Sequence, residues 1–181
     1  MSQEIDKKQQ AEWEKRYIDK KTAWDRGDVS PALEKTLSKI PEPPSKVLIP
    51  ACGRGHEVVS LAALGFDVTG VDFAPIDTDL FEWEPSESFD VIYEQTALCA
   101  LNPDLWPEYA RRLYHWLRPG GILVGMFMQT NRDGGPPWHV SLTTLQELFP
   151  KTLWGWSDNL NEIIEHPSGL QERFITLKRQ D

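Results

Sequence analysis

The chain is poor in cysteine and histidine and has no surplus of positive charge. Its two cysteines, Cys52 and Cys99, stand far apart in 181 residues, with no Cys or His partners at metal-ligand spacing. That argues against a zinc site and a disulfide scaffold and fits a reducing compartment. Lys and Arg total 19 against 28 Asp and Glu, a net charge of −9, so the basic surface that nucleic acid demands is missing. The basic residues near the start (Lys7, Lys8, Lys15, Arg16, Lys20, Lys21) alternate with acids and read as a solvated helix face. No apolar run approaches the roughly 20 residues of a membrane span, and the polar N-terminus is unlike a signal peptide. These absences leave a cytoplasmic protein that handles a small ligand, with neither nucleic acid nor membrane as partner.

What is present suits one domain with a real core: 40% of the residues are hydrophobic, eight of them tryptophan. Residues 3 to about 20 are polar with sparse apolar positions (Ile5, Trp13, Tyr17), a helix with one narrow buried stripe. After the turn-like DRGDVSP, Ser30 caps a short helix with Pro31 at its first position, and PEPPS, residues 41 to 45, is a stiff connector. The spacing then predicts strands over Lys46 to Pro50, Phe66 to Val71, Phe89 to Tyr93 and the fully apolar Ile122 to Met128. Helices are expected over His56 to Leu64, from Asn102-Pro103 to Leu117 before RPGG, and from Ser141 to Leu148. The tail ERFITLKR reads as an antiparallel edge strand that pairs with Thr152 to Trp156. Strands alternating with helices mean an α/β fold, a doubly wound and mostly parallel sheet with right-handed crossovers.

In such a sheet ligands sit beyond the carboxyl ends of the strands, which singles out the loop after the first one, KVLIPACGRGHE. Dinucleotide binders need G-x-G-x-x-G, but Val58 stands where the third glycine belongs, and no Gly-Lys-Ser/Thr follows to make a Walker loop. Ala51, Gly53 and Gly55 have instead the A-x-G-x-G spacing of S-adenosylmethionine binders, which need only close approach of a nucleoside. Asp72 ends the next strand, where a carboxylate accepts both hydroxyls of a ribose. The competing reading is a tight turn and a helix cap without a ligand.

Three separated stretches carry a specific resemblance: IPACGRGHEVVSLAALGFDVTGVDFAP, then FDVIYEQTALCALNPDLWPEYARRL with LRPGG, then GGPPWHVS. Together with the N-terminal WEKRYIDKKTAWDRGDVSPAL they are similar to the thiopurine S-methyltransferase family, which includes halide and thiol methyltransferases. The resemblance reaches to about residue 150. It implies a Rossmann-like class I methyltransferase using S-adenosylmethionine, with residues 1–40 as a helical cap over the cofactor. It further implies cofactor contacts at Trp13, Tyr17, Trp24, Ala51, Gly53, Asp72, Asp79, Leu80 and Gln95. Trp24 and Trp138 would wall the acceptor, Trp138 replacing a tyrosine common among relatives. A small thiol or halide is the implied acceptor, and a monomer the implied state. No catalytic base and no metal are implied. Glu94, after a buried strand, is left open as a base, a contact to the methionine ammonium or a helix cap.

One unit is short. Between Asp72 and Asp79 stand only FAPIDT, roughly 20 Å when extended, whereas a helix and a further strand need at least about 10–12 residues. Either residues are absent at Ile76-Asp77, or the protein lacks this unit and leaves the adenine side open. In the second case a non-catalytic binding protein becomes the alternative function. A nicotinamide oxidoreductase is disfavoured by Val58.

Overall fold

The computed structural model describes residues 11–22, 24–72, 80–166 and 168–181. Helix α1 covers residues 11–18 and α2 Ala32–Leu37. There follow β1 (Lys46–Pro50), α3 (His56–Ala63), β2 (Asp67–Val71), β3 (Phe89–Gln95), α4 (Ala97–Ala100) and α5 (Trp106–Trp116). The chain ends with β4 (Leu117–Gln129), α6 (Leu142–Leu148), β5 (Trp154–Trp156), β6 (Ile163–Glu165) and β7 (Gln171–Arg179). The sheet runs β2-β1-β3-β4-β7-β5, with β6 also pairing β7. The first four strands are parallel, and β7 is antiparallel to β4, β5 and β6. The C-terminal antiparallel edge therefore consists of β7 with β5 and β6 laid along its outer side.

Alternation along the central strands feeds two cores, one on each face. Leu48, Ile92, Leu123 and Leu177 point to the face covered by α5 and α6, where they meet Tyr109, Leu113, Trp116, Leu145 and Phe149. Val47, Ile49, Val91, Tyr93 and Val124 point to the other face, under Leu61 of α3 and Ala32 and Leu33 of α2. Each such side chain stabilises the fold by about 1.5–3 kcal/mol over its exposed state. Helix α5 shows why its sequence is a helix: Trp106, Tyr109, Ala110, Leu113 and Trp116 make one buried stripe. On its other side Glu108 pairs with Arg111 at 2.6 Å and Arg112 at 2.9 Å. It ends one residue sooner than the sequence suggests, because Leu117 turns extended and pairs with Phe89, making RPGG part of β4.

Ser141 caps its helix as the sequence suggests, whereas Asn102 caps a 3₁₀ turn (Pro103–Leu105) that precedes α5, and α2 starts from Pro31 with Ser30 just before it. Ser141 Oγ accepts the Thr144 N–H at 3.0 Å, and Asn102 Oδ1 accepts that of Asp104 at 3.0 Å. Ser30 Oγ accepts the Ala32 N–H at 3.2 Å. Beyond Val71 no helix and no further strand occurs before β3 among the described residues, and β2 is a sheet edge.

The parallel strands end on one side of the sheet, at Pro50, Val71, Gln95 and Gln129. Because β7 is antiparallel and pairs Gln129 with Gln171, the turn joining β6 to β7 arrives at this same end. That convergence builds the site.

Candidate active site

A cavity of about 380 Å³ lies across these strand ends, a size suited to one cofactor-sized ligand. At the β1–β2 side it is lined by Ala51, Gly53 and Asp72, at the middle by Gln95 and Thr96, and at the β4–β7 side by Met128, Pro136, Pro137, His166 and Ser168. Trp13, Arg16, Tyr17, Lys21 and Trp24 close it from the N-terminal segment.

The glycine loop makes its turn with left-handed backbone at Ala51 (φ 52°), Gly53 (φ 57°) and Gly55 (φ 76°). Glycine suits such φ values, whereas Ala51 stores local strain there, as does the cavity-lining Thr96 (φ 60°). The Gly53 N–H donates to Asp72 Oδ2 at 2.6 Å, so the acid at the end of β2 fixes the loop as well as facing the cavity. Asp25 ties the N-terminal segment to the same loop. It accepts from Arg54 Nε at 2.6 Å and the Gly27 N–H at 2.8 Å, and meets His56 Nε2 at 3.1 Å. Burial pushes the Asp25 carboxyl up, but the Gly27 N–H, His56 and Arg54 outweigh it and hold it below its ordinary value. Ser30 adds a second tie, its N–H donating to Glu57 Oε1 at 2.8 Å.

The aromatic wall is a T-shaped cluster: Trp24 lies 5.0 Å from Trp13 and 5.6 Å from Tyr17, centroid to centroid. Burial and the neighbouring Asp72 push the Tyr17 hydroxyl up to about 12, so it stays neutral. Both thiols are held in the protonated form at neutral pH. Burial, then Asp72, pushes the Cys52 thiol up to about 11, and burial and Glu94 push Cys99 well above its usual value. Glu94 serves as a cap: fully buried, its Oε1 accepts the Leu98 N–H at 2.7 Å at the start of α4.

Seven of the anticipated contacts, Trp13, Tyr17, Trp24, Ala51, Gly53, Asp72 and Gln95, thus meet around one cavity. Two do not. Leu80 is 1% exposed and packs in the core on the α5 face of the sheet. Trp138 turns inward: its main-chain N–H donates to the Cys99 carbonyl at 2.8 Å, its indole nitrogen is buried, and its ring lies so close over Gly135 that a Cβ there would fall 2.5 Å from it. Pro136 and Pro137 take the place expected of Trp138 in the lining. Asp79, Ile76 and Asp77 lie outside the described residues. The sequence reading missed Arg16, Lys21, Arg132, His166 and Ser168. The signal for the last two was HPSGL between two strands of an antiparallel tail, which had to turn at the ligand end of the sheet.

Comparison with solved structures defines the class. The fold matches a Burkholderia thailandensis 1,6-didemethyltoxoflavin-N1-methyltransferase, solved with its substrate and S-adenosylhomocysteine, at a TM-score of 0.74 and 18% identity, covering 95% of this chain and 87% of that one. TehB from Haemophilus influenzae matches at a TM-score of 0.66 and 18% identity, over 92% and 66%. This is the class I S-adenosylmethionine-dependent methyltransferase fold. The thiopurine S-methyltransferase family matches residues 8–78 and 75–172, and the chain belongs to that family. Thiocyanate methyltransferase 1 of Brassica oleracea is 31% identical over 159 residues, 76% of this chain and 70% of that protein. Thiopurine S-methyltransferase of Pseudomonas putida (strain GB-1) is 27% identical over 190 residues, 84% of this chain and 86% of that protein. The latter alignment is longer than this whole chain, so the relative carries residues that have no counterpart here. The two matched pieces of the family meet at residues 75–78, where the crossover is short.

Proposed function

We propose that this chain transfers the methyl group of S-adenosylmethionine to a small soft nucleophile, a thiol or a halide. One observation carries the reading: one cavity joins the bare Gly53 turn and Asp72 to Met128, Pro136 and Pro137, with Arg16, Lys21 and Arg132 also in its lining.

The lining fits the cofactor. Ala51 and Gly53 offer bare main chain against which a nucleoside lies, and Asp72 stands where a carboxylate takes ribose hydroxyls. The faces of Trp13, Tyr17 and Trp24 favour a cation, and Gln95 adds a polar contact at the centre. S-adenosylmethionine supplies a methyl already activated on a positive sulfur, with a neutral leaving group. The protein's work is therefore to position and desolvate. Trp24 and the Pro136-Pro137 wall exclude water around the acceptor. Asp72 is the one carboxylate in the described lining, against Arg16, Lys21 and Arg132. These cations favour an anionic acceptor in a protein whose net charge is −9. A thiol with pKa near 8.5 already supplies some thiolate at neutral pH.

We also read the chain as a monomeric cytoplasmic enzyme. Its two cysteines are free, and no helix among the described residues is long and apolar enough to cross a membrane. The test is a panel of thiols and halides scored by release of S-adenosylhomocysteine. Acceptor-dependent release is expected. Binding of S-adenosylhomocysteine with no release for any acceptor would instead favour a non-catalytic binding protein, the reading to which the short crossover lends weight.

A further inference from the structure

The β6–β7 turn carries polar groups that methyl transfer to a thiolate leaves unused. His166 is 8% exposed yet lines the cavity, and Ser168 lines it beside His166. Their positions are fixed by the turn, in which the His166 N–H donates to Leu170 O at 2.9 Å and the Gly169 N–H to His166 O at 2.9 Å. Ser168 Oγ lies 2.6 Å from His166 Nδ1, and the Ser168 main-chain N–H donates to the same nitrogen at 3.2 Å. Nδ1 therefore bears the lone pair, and the ring proton sits on Nε2. Nε2 faces Glu172 Oε1 at 3.8 Å. Glu172 is wholly buried on β7 opposite Met128, itself in the cavity wall. Its Oε2 is 3.4 Å from Arg26, while Oε1 is buried with no hydrogen-bond partner. A buried polar atom without a partner carries a cost that selection removes unless it has a use.

We propose that Ser168, His166 and Glu172 form a proton path that ionises a neutral thiol acceptor inside the cavity. The proposal rests on the methyltransferase reading and names the class of acceptor it serves. The thiol S–H passes its proton to Ser168 Oγ as the serine proton moves to His166 Nδ1 and the Nε2 proton moves to Glu172 Oε1. The sulfur electron pair then forms the S–CH₃ bond, and the pair of the breaking C–S bond returns to the leaving sulfur. The proton leaves Glu172 to solvent by the reverse hops, which restore the imidazole tautomer. The 3.8 Å gap is of the kind that tightens when a site fills. Ser168 touches the acceptor; His166 and Glu172 act behind it.

The charges around the path suit this direction. Arg26 faces both His166 and Glu172, Glu57 of α3 acts on Glu172, and Glu172 in turn raises Glu94 of β3. Burial and Arg26 push His166 down to about 4, so the ring relays a proton without keeping it. Burial pushes Glu172 up to about 7, against the pull of Arg26, so it takes a proton near neutrality.

The test uses an aromatic thiol whose thiol and thiolate forms absorb differently, bound to the whole protein with saturating S-adenosylhomocysteine, so that no turnover is needed. In the wild-type complex the bound thiol should ionise at lower pH than in water. Ser168→Ala, at an exposed position, should fold normally and move that ionisation upward by about a pH unit, a tenfold loss. Ser168→Thr, which keeps the hydroxyl, should restore it. In turnover, Ser168→Ala and His166→Gln should slow thiols of high pKa at least tenfold more than thiols of low pKa. Equal ionisation in wild type and Ser168→Ala, or equal slowing of all thiols, would overturn the path. If the wild type binds S-adenosylhomocysteine and methylates thiols in that event, only the path fails. If it does neither, the methyltransferase reading fails with it.

Discussion

Replacing Glu94 with glutamine should remove a loss of stability that the wild type suffers between pH 7 and pH 8. Glu94 is fully buried on β3, its Oε1 capping α4 and its Oε2 without a partner. Burial pushes its carboxyl up to about 8, against the pull of the Leu98 N–H and with the nearby Glu172 adding to the rise. The folded chain thus holds a proton that the unfolded chain, with an ordinary carboxyl, has already released. Where the native state binds more protons, stability falls as pH rises, here from the usual carboxylate range until the folded group ionises near 8. From pH 7 to 8 the loss amounts to about 1 kcal/mol, a little under the full slope of about 1.4 per unit because the folded group is itself beginning to ionise. For a chain of this size that is about 2–4 °C in Tm. Glu172, pushed up to about 7, completes most of its own titration near the lower edge of this window, and the thiols act above it. The assay is urea unfolding followed by tryptophan fluorescence at both pH values and one ionic strength. Glu94→Gln keeps the cap acceptor and should show a flatter response. The same loss in both proteins would mean that the carboxyl is already ionised in the fold, and the reasoning would be refuted.

Asp72→Asn should weaken S-adenosylhomocysteine binding by about 10–100-fold, the worth of hydrogen bonds to a charged group, while its remaining oxygen still accepts the Gly53 N–H; calorimetry reads the change. Trp24→Ala should lower kcat/KM by about tenfold, through lost facing of the sulfonium and lost exclusion of water, and full turnover in the purified variant would remove Trp24 from the site. Ser141→Ala deletes the cap of α6, distant in role from the cavity, and should cost about 1 kcal/mol of stability with S-adenosylhomocysteine affinity unchanged, a pairing read by denaturation and titration side by side.

Periodicity carried most of the fold. The apolar stretch from Ile122 to Met128 could only be a strand covered on both faces, and Ser141 announced its helix by side-chain chemistry. The glycine loop was legible because Gly53 and Gly55 sit where backbone must turn left-handed, and Asp72 because it ends the next strand. Trp138 was misplaced for a physical reason: neighbouring sequence says that a large ring follows two prolines, but not which of the three residues faces inward. Leu80 reads as an adenine neighbour only through the resemblance, whereas its large apolar side chain packs in the core on the α5 face. His166 and Ser168 escaped notice since their arrival at the cavity depends on β7 running antiparallel to β4, a long-range pairing that local pattern does not encode.

The proposed methyl transfer stands on adenosine lying against the Gly53 turn with Asp72 holding its sugar. A crystal structure of the full chain grown with S-adenosylhomocysteine tests this most directly. Nucleoside density is expected across the ends of β1 and β2, with the ribose hydroxyls within about 3.2 Å of the Asp72 carboxylate and Trp24 over the sulfur. Density at another place on the protein, or a cavity filled by side chains at saturating ligand, would contradict it.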